Sequence, residues 1–255
     1  MTTGTRKAGD FCWVNMLTPE PAKARAFFGK LLGWTYVELP GMGHRVQVDG
    51  HDIGGLFDLA GPNCPTGTPP HIGVMLKVSS ADATGDKVIS LGGQAQPAFD
   101  IMDQGRMAVC TDPNGAAFDV WEPKKGLGMD ADSEHHGAPS WFESMTTDVP
   151  RASKFYATMF GWTPETMSMP GMEYTTFKLG SEFVAGMMAI TPEMGKIPPH
   201  WGTYFTVKDV DATAREAVEL GATLFVPPQD VPNIGRFSGI KSPQGVMFFA
   251  IQYKR

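Results

Sequence analysis

Apolar residues along this chain switch between two periods. From Phe11 to Leu17 they alternate with other residues, the pattern of a strand with one face on a core. Ala24, Phe27, Phe28, Leu31 and Leu32 then recur at the three-and-four spacing of a single helix face, and Gly33 stands where a helix end favours a left-handed residue. Short alternating runs predict strands at Tyr36–Leu39, His44–Val48 and Asp52–Asp58. The order then starts again. A strand is predicted at Ile72–Val78, a helix over Asp82–Leu91 ending in Gly92-Gly93, and strands at Ala95–Phe99, Arg106–Thr111 and Ala117–Trp121. The unit is βαβββ, used twice in the first half of the chain.

The second half repeats the first. Trp13-Val14-Asn15 and the run from Phe27 to Trp34 have counterparts in Trp141-Phe142-Glu143 and the run from Phe155 to Trp162. Pro40-Gly41-Met42 returns as Pro170-Gly171-Met172, and Pro69-Pro70-His71-Ile72-Gly73 as Pro198-Pro199-His200-Trp201-Gly202. Gly105-Arg106-Met107 returns as Gly235-Arg236-Phe237, and Asp112-Pro113-Asn114-Gly115 as Ser242-Pro243-Gln244-Gly245. The second helix face is Ala152, Phe155, Tyr156, Met159 and Phe160, with Asp148 placed as its N-cap and Gly161 at its end. Matches in the same order over this length indicate a duplicated module. The chain divides into a first module over 1–123, a polar joining stretch over 124–138 and a second module over 139–255. The expected fold class is α+β, with four βαβββ units in tandem.

Composition narrows the function. With 255 residues and a 42% apolar content the chain can bury two domain cores. A net charge of −6 leaves no basic patch for phosphates, which argues against nucleic acid and anionic membranes as partners. No apolar run reaches the length of a membrane-spanning helix, and the polar stretch from Met1 to Asp10 lacks the apolar core of a signal peptide. Cys12, Cys64 and Cys110 form no disulfide framework, so a reducing, cytoplasmic setting is expected. The 16 methionines fit either an adaptable apolar cavity or a loosely specified core.

The paired βαβββ units, the Phe-Phe or Phe-Tyr pair before a Leu-Gly or Phe-Gly helix end, and the late Pro-x-Gly turn resemble the vicinal-oxygen-chelate superfamily of glyoxalases, bleomycin-resistance proteins and extradiol dioxygenases. Two-module members known only as glyoxalase-like or hydroxylase-like proteins are the nearest in pattern. The resemblance implies modules whose strands curl into half-open cups. It also implies a divalent metal held by side chains on the first strand, the strand opening the second half and the last strand. Those positions fall on Trp13, Gly73 and Asp119 in the first module and on Trp141, Gly202 and Phe249 in the second. One carboxylate among six positions is not a metal site, and an indole is a hydrogen-bond donor rather than a ligand. No cofactor is therefore expected, although a divalent metal held by other ligands stays open. The acidic and histidine-rich run of Asp130, Asp132, Glu134, His135 and His136 lies in the joining stretch, where ligands are not held in geometry. His44, His51 and Asp52 have no counterparts in the second module and read as surface residues.

Alternation names the side chains that share the cups. They are Trp13, Asn15, His71, Met75 and Asp119 in the first, and Trp141, Glu143, His200 and Tyr204 in the second. Trp13 and Trp141 read as core packing or as stacking platforms for a flat ligand. His71 and His200, each behind Pro-Pro, read as hydrogen-bonded strand starts or as site groups. Glu143 reads as a strand-end carboxylate paired with an arginine or as a general base with a raised pKa. Arg106 and Arg236 read as partners of Asp100 and Asp230 or as anchors for an anionic ligand. The expected function is small-molecule binding with degenerate metal sites, such as sequestration of a drug or metabolite. The alternative is a glyoxalase-like lyase or hydroxylase acting on a small carbonyl or aromatic compound, with Glu143, His200 and Tyr204 as its catalytic groups. Intrachain pairing of the modules would allow a monomer; a homodimer remains open.

Overall fold

The computed structural model describes residues 6–61, 64, 67–169 and 171–254. Pro170 of the repeated Pro-Gly-Met turn, and the first five residues of the amino-terminal segment, lie outside them. The first module contains β1 (Phe11–Thr18), α1 (Pro21–Leu32), β2 (Thr35–Leu39), β3 (Gly43–Val48), β4 (His51–Asp58), β5 (His71–Lys77), α2 (Ala81–Ser90), β6 (Gln94–Ala95), β7 (Phe99–Ile101), β8 (Gly105–Thr111) and β9 (Ala117–Pro123). The second contains β10 (Pro139–Thr146), α3 (Val149–Phe160), β11 (Thr163–Met169), β12 (Met172–Leu179), β13 (Glu182–Ala189), β14 (His200–Thr206), α4 (Val210–Glu219), β15 (Thr223–Val231), β16 (Gly235–Lys241) and β17 (Met247–Tyr253). The fold is α+β, and each module forms one sheet curled into a half-barrel.

The helices end where the sequence says they should. Gly33 and Gly161 adopt φ of 68° and 71°, the left-handed conformation that closes α1 and α3. The Asp148 side chain accepts from Arg151 N at the start of α3, and Ser80 and Asp209 cap α2 and α4 in the same way. One predicted strand differs. The run Ala95–Phe99 splits into β6 and β7 around Pro97, which has no N–H to give to a ladder. In the second module β15 runs through Pro227-Pro228 unbroken, at the cost of a register shift between Val226 and Gln229.

In each sheet the two βαβββ units join through their first strands. β1 and β5 pair antiparallel at the centre of one cup, and β10 and β14 at the centre of the other. Strands β4 and β9, and in turn β13 and β17, flank these pairs in parallel. The convex faces of the two sheets share one apolar core with α1 to α4. Phe11 of β1 stacks on Phe142 of β10 with ring centroids 4.0 Å apart.

Polar contacts register the modules against each other. Trp34 Nε1 donates to Gly137 O at 2.8 Å, and its repeat counterpart Trp162 Nε1 donates to Gly9 O at 2.7 Å. Each helix-end indole thus reaches the lead-in to the other module's first strand, as a pseudo-twofold relation requires. A second contact breaks that symmetry. Trp201 Nε1 donates to the Tyr156 hydroxyl at 2.9 Å, which donates to Asp112 Oδ2 at 3.1 Å, all of it buried. The counterpart of Tyr156 is Phe28, which packs on Phe248.

The joining stretch is not the loose polar tether its composition suggests. Met129, Ala131 and Ala138 are buried, Met129 N donates to Cys12 O at 2.6 Å, and Thr206 Oγ1 donates to Ser133 O at 2.6 Å. Asp130 lies near His51 and His135 near Asp49 at the surface, while the His136 ring sits half-buried against Leu31 O. His44 is not a plain surface residue either. It sits half-buried beside Tyr36, and burial lowers its pKa. All three cysteines are free. Among the described residues no helix is long and apolar enough to cross a membrane.

Candidate functional site

Strand register sets a row of residues across the floor of each cup. In the second module the row is Thr176, Gly186, Glu143 and Gly202, running from β12 through β13 and β10 to β14. In the first it is Arg45, Gly55, Asn15 and Gly73. Both central residues therefore stand between two glycines.

Around Glu143 those glycines make room for rings. A Cβ added to Gly186 would overlap the Tyr174 hydroxyl, and one added to Gly202 would stand 2.9 Å from Cε2 of Phe249. With no side chain at either place, Tyr174 and Phe249 lie across the sheet on the two sides of the carboxylate. The Tyr174 hydroxyl donates to Glu143 Oε2 at 2.7 Å, and Tyr204 donates to Oε1 at 2.9 Å. Trp141 Nε1 donates in turn to the Tyr174 oxygen at 2.9 Å. Tyr204 stacks on Phe249 with centroids 4.3 Å apart, and Phe237 and Phe225 extend this wall. Trp141 and Tyr174 are half-buried, whereas Glu143 is 6% exposed.

Burial pushes the Glu143 pKa above the usual carboxylate range, and the two tyrosine hydrogen bonds oppose that only in part. Among the described residues no cationic group contributes. Burial, followed by the neighbouring carboxylate, raises Tyr174 and Tyr204 well above an ordinary phenol, so both stay protonated donors. Glu143 is therefore not exposed, and among the described residues it has no arginine partner.

The first cup is built differently. Asn15 holds the Glu143 position and hydrogen-bonds Asp119, which comes from the last strand and has Phe249 as its counterpart. Burial raises the Asp119 pKa to about 7. Phe57 lies over Gly55, but Gly73 is open, its nearest neighbour being His71 Nε2 at 3.7 Å from an added Cβ. Trp13 packs half-buried between the main core and a small cluster of Cys12, Met75, Met107 and Trp121.

The other candidates scatter. His71 and His200 start their strands with Nδ1 against Pro69 O (2.8 Å) and Pro198 O (2.9 Å), and since a carbonyl oxygen only accepts, Nδ1 is the donor. His200 lies opposite Met145, beyond the Glu143–Gly202 pair, and Glu143 bonds to the tyrosines instead. Arg106 and Arg236 are held in forked pairs by Asp82 and Asp211, at the starts of α2 and α4, with Asp100 and Asp230 as further partners. The helix aspartates were not anticipated, because the sequence shows only the neighbours along each hairpin. Tyr174 was missed as well. It falls on the cup face of β12 by alternation, but its role depends on a glycine in the next strand.

A divalent metal of the usual kind does not fit. At the three expected positions the second cup offers an indole, a bare glycine and a phenyl ring lying over that glycine, and the first offers one carboxylate. Among the described residues no group of three or more His, Cys, Asp or Glu side chains is placed to hold a metal. A separate cleft of about 290 Å³ lies at the module joint beside Lys77, Ser80 and Phe160. Its Lys87 is already bonded to the carbonyls of Thr158 and Met159.

Comparison with known proteins agrees with this architecture. Residues 139–248 match the Glyoxalase/Bleomycin resistance protein/Dioxygenase superfamily model, and residues 13–121 match a Glyoxalase-like domain. The chain is 35% identical over 247 residues to "Putative glyoxylase CFP32" of Mycobacterium bovis, covering 94% of this chain and 93% of the relative. It is 32% identical over 258 residues to "Anthracycline biosynthesis protein DnrV" of Streptomyces peucetius, covering 95% and 92%. Two solved structures share the fold at low identity. The Mn(II)-bound glyoxalase of Novosphingobium aromaticivorans has 15% identity, a TM-score of 0.67 and coverage of 96% and 82%. An extradiol ring-cleaving dioxygenase from B. fuscum has 13% identity, a TM-score of 0.68 and coverage of 100% and 74%. The repeat, the two cups and relatives matched along almost their whole length place this chain in the glyoxalase/bleomycin resistance/dioxygenase superfamily.

Proposed function

We propose that this protein binds a small, flat, largely apolar molecule in the cup of the second module, with Glu143, Tyr174 and Tyr204 as the polar anchor. The observation that carries this reading is the convergence of Trp141, Tyr174 and Tyr204 on one buried carboxylate set between two glycines. An apolar wall with a few fixed polar groups is the composition of a small-molecule site. The first cup, with Trp13, Asn15, His71 and Asp119, is the second candidate. Arg106 and Arg236 are engaged by aspartates and are set aside as ligand anchors. Titrating aromatic compounds and following indole fluorescence tests the proposal. Trp141→Ala should weaken binding by about 1–3 kcal/mol, the scale of a lost stacked aromatic contact. An unchanged affinity would remove the cup from consideration.

A catalytic version is favoured by one specific feature, the raised pKa of Glu143, which suits a general acid or base. The similarity to a protein named a putative glyoxylase supports a small carbonyl compound as its substrate. The groups placed to act are Glu143 and Tyr204, with His200 at the end of the cup. In this version Glu143→Gln abolishes turnover of small carbonyl compounds and leaves their binding nearly intact. Turnover that survives the substitution would leave the binding role alone.

A further inference from the structure

Among the described residues, no cationic group is paired with the Glu143 carboxylate. Both carboxylate oxygens accept from neutral phenols, and the groups acting on its charge are its own burial and the two tyrosines. A buried carboxylate left without a countercharge is costly. Arg236, on β16 of the same sheet, is held by Asp211 and Asp230. Trp141, Tyr174 and Tyr204 gather at the carboxylate through the N–H and O–H groups on their ring edges, and Tyr204 stacks one face on Phe249; the faces of such rings carry partial negative charge. A carboxylate at the base of an aromatic enclosure is the arrangement that stabilises an organic cation, through ion pairing and through the ring quadrupoles together. The chain's charge of −6 adds long-range attraction of the same sign.

The first cup is a built-in contrast. Its floor row carries Arg45 and Asn15 where the second carries Thr176 and Glu143. That cup holds a carboxyl too, Asp119 beside Asn15, but a guanidinium, Arg45, lies in the same row and is paired with Asp52 at 3.1 Å.

We propose that the ligand of the second cup carries a positively charged nitrogen, a protonated or quaternary amine on an apolar or aromatic body, seated against Glu143 among Trp141, Tyr174 and Tyr204. This rests on the second cup being the ligand site. The amine supplies the missing countercharge, its N–H or N–CH₃ groups face the rings, and the apolar body lies along Phe237 and Phe249. Amines would then be selected over neutral molecules of the same shape.

The test uses two probes of equal shape, 2-naphthylmethylammonium and 2-naphthalenemethanol, with dissociation constants measured by ligand-observed NMR on the whole chain. The ammonium should bind the wild type about tenfold or more tighter than the alcohol, the scale of a desolvated cation–π and ion-pair contact. Glu143→Gln keeps an oxygen for the tyrosines and removes the charge; it should bring the two probes within about twofold of each other while the alcohol affinity holds. Tyr174→Phe keeps the charge and should keep the preference for the ammonium. Equal binding of the two probes to the wild type, or a preference that survives Glu143→Gln, overturns the cationic ligand and leaves the aromatic cup standing. Failure of both probes to bind at millimolar concentration, or binding insensitive to Trp141→Ala, overturns the cup as the site and this inference with it.

Discussion

A carboxyl group buried without a cation keeps its proton to higher pH in the folded chain than in the unfolded one. Asp119 shows the consequence most directly, since its pKa rises from 3.8 to about 7 through burial, opposed only by Asn15. The folded protein binds the extra proton between those values, so this group's contribution to stability is complete below about 4, declines as pH rises, and is gone above 7. Asp119→Asn should therefore leave stability near pH 4 little changed and raise it near pH 8 relative to wild type. The gain should be about 1–2 kcal/mol after allowance for the partly open setting of the side chain. Thermal unfolding of both proteins across this pH range is the check, and parallel curves would mean that Asp119 ionises normally. Glu143 shifts in the same direction, so its Gln variant should flatten the loss of stability with rising pH in the same sense.

Within the central strands, the partners of each glycine decide what a cup can hold. Gly202 and Gly73 occupy the same repeat position, yet an added methyl meets the Phe249 ring at 2.9 Å in one case and nothing nearer than 3.7 Å in the other. Gly202→Ala should displace that ring and cost about 1–3 kcal/mol as an overpacked site does. Gly73→Ala should be neutral, or stabilising by up to about 1 kcal/mol through the lost freedom of the unfolded chain. Urea midpoints of the two variants measure the contrast; equal destabilisation would mean that both floors are closed. Helix ends, by comparison, are fixed by local chemistry, as the caps at Ser80, Asp148 and Asp209 show.

The two modules behave as one packed unit because the polar groups at their joint have partners across it. Trp34 and Trp162 satisfy one another's lead-in carbonyls, and Asp112, Tyr156 and Trp201 form a buried chain found on one side of the pseudo-twofold only. Tyr156→Phe leaves Asp112 Oδ2 and the Trp201 indole without that hydroxyl, and should cost about 1–3 kcal/mol. Equilibrium unfolding followed by fluorescence and circular dichroism tests this. A loss confined to a few tenths of a kcal/mol would mean that water takes over the hydroxyl's role.

Period and repetition in the sequence were enough for the elements, the duplication and the fold class, because each βαβββ unit announces itself through local spacing, Gly-ended helices and Pro-x-Gly turns. Alternation brought Trp141, Glu143 and Tyr204 to one face. It could not bring in Tyr174, which reaches Glu143 only because Gly186 of the neighbouring strand leaves the path clear. Nor could it reveal that Arg106 and Arg236 turn to Asp82 and Asp211 on helices far along the chain, or that the joining stretch folds down beside Cys12 and Thr206. Those outcomes depend on which strands and helices become neighbours. Side-chain period records the face a residue occupies, while register across strands and packing between modules decide which groups meet there.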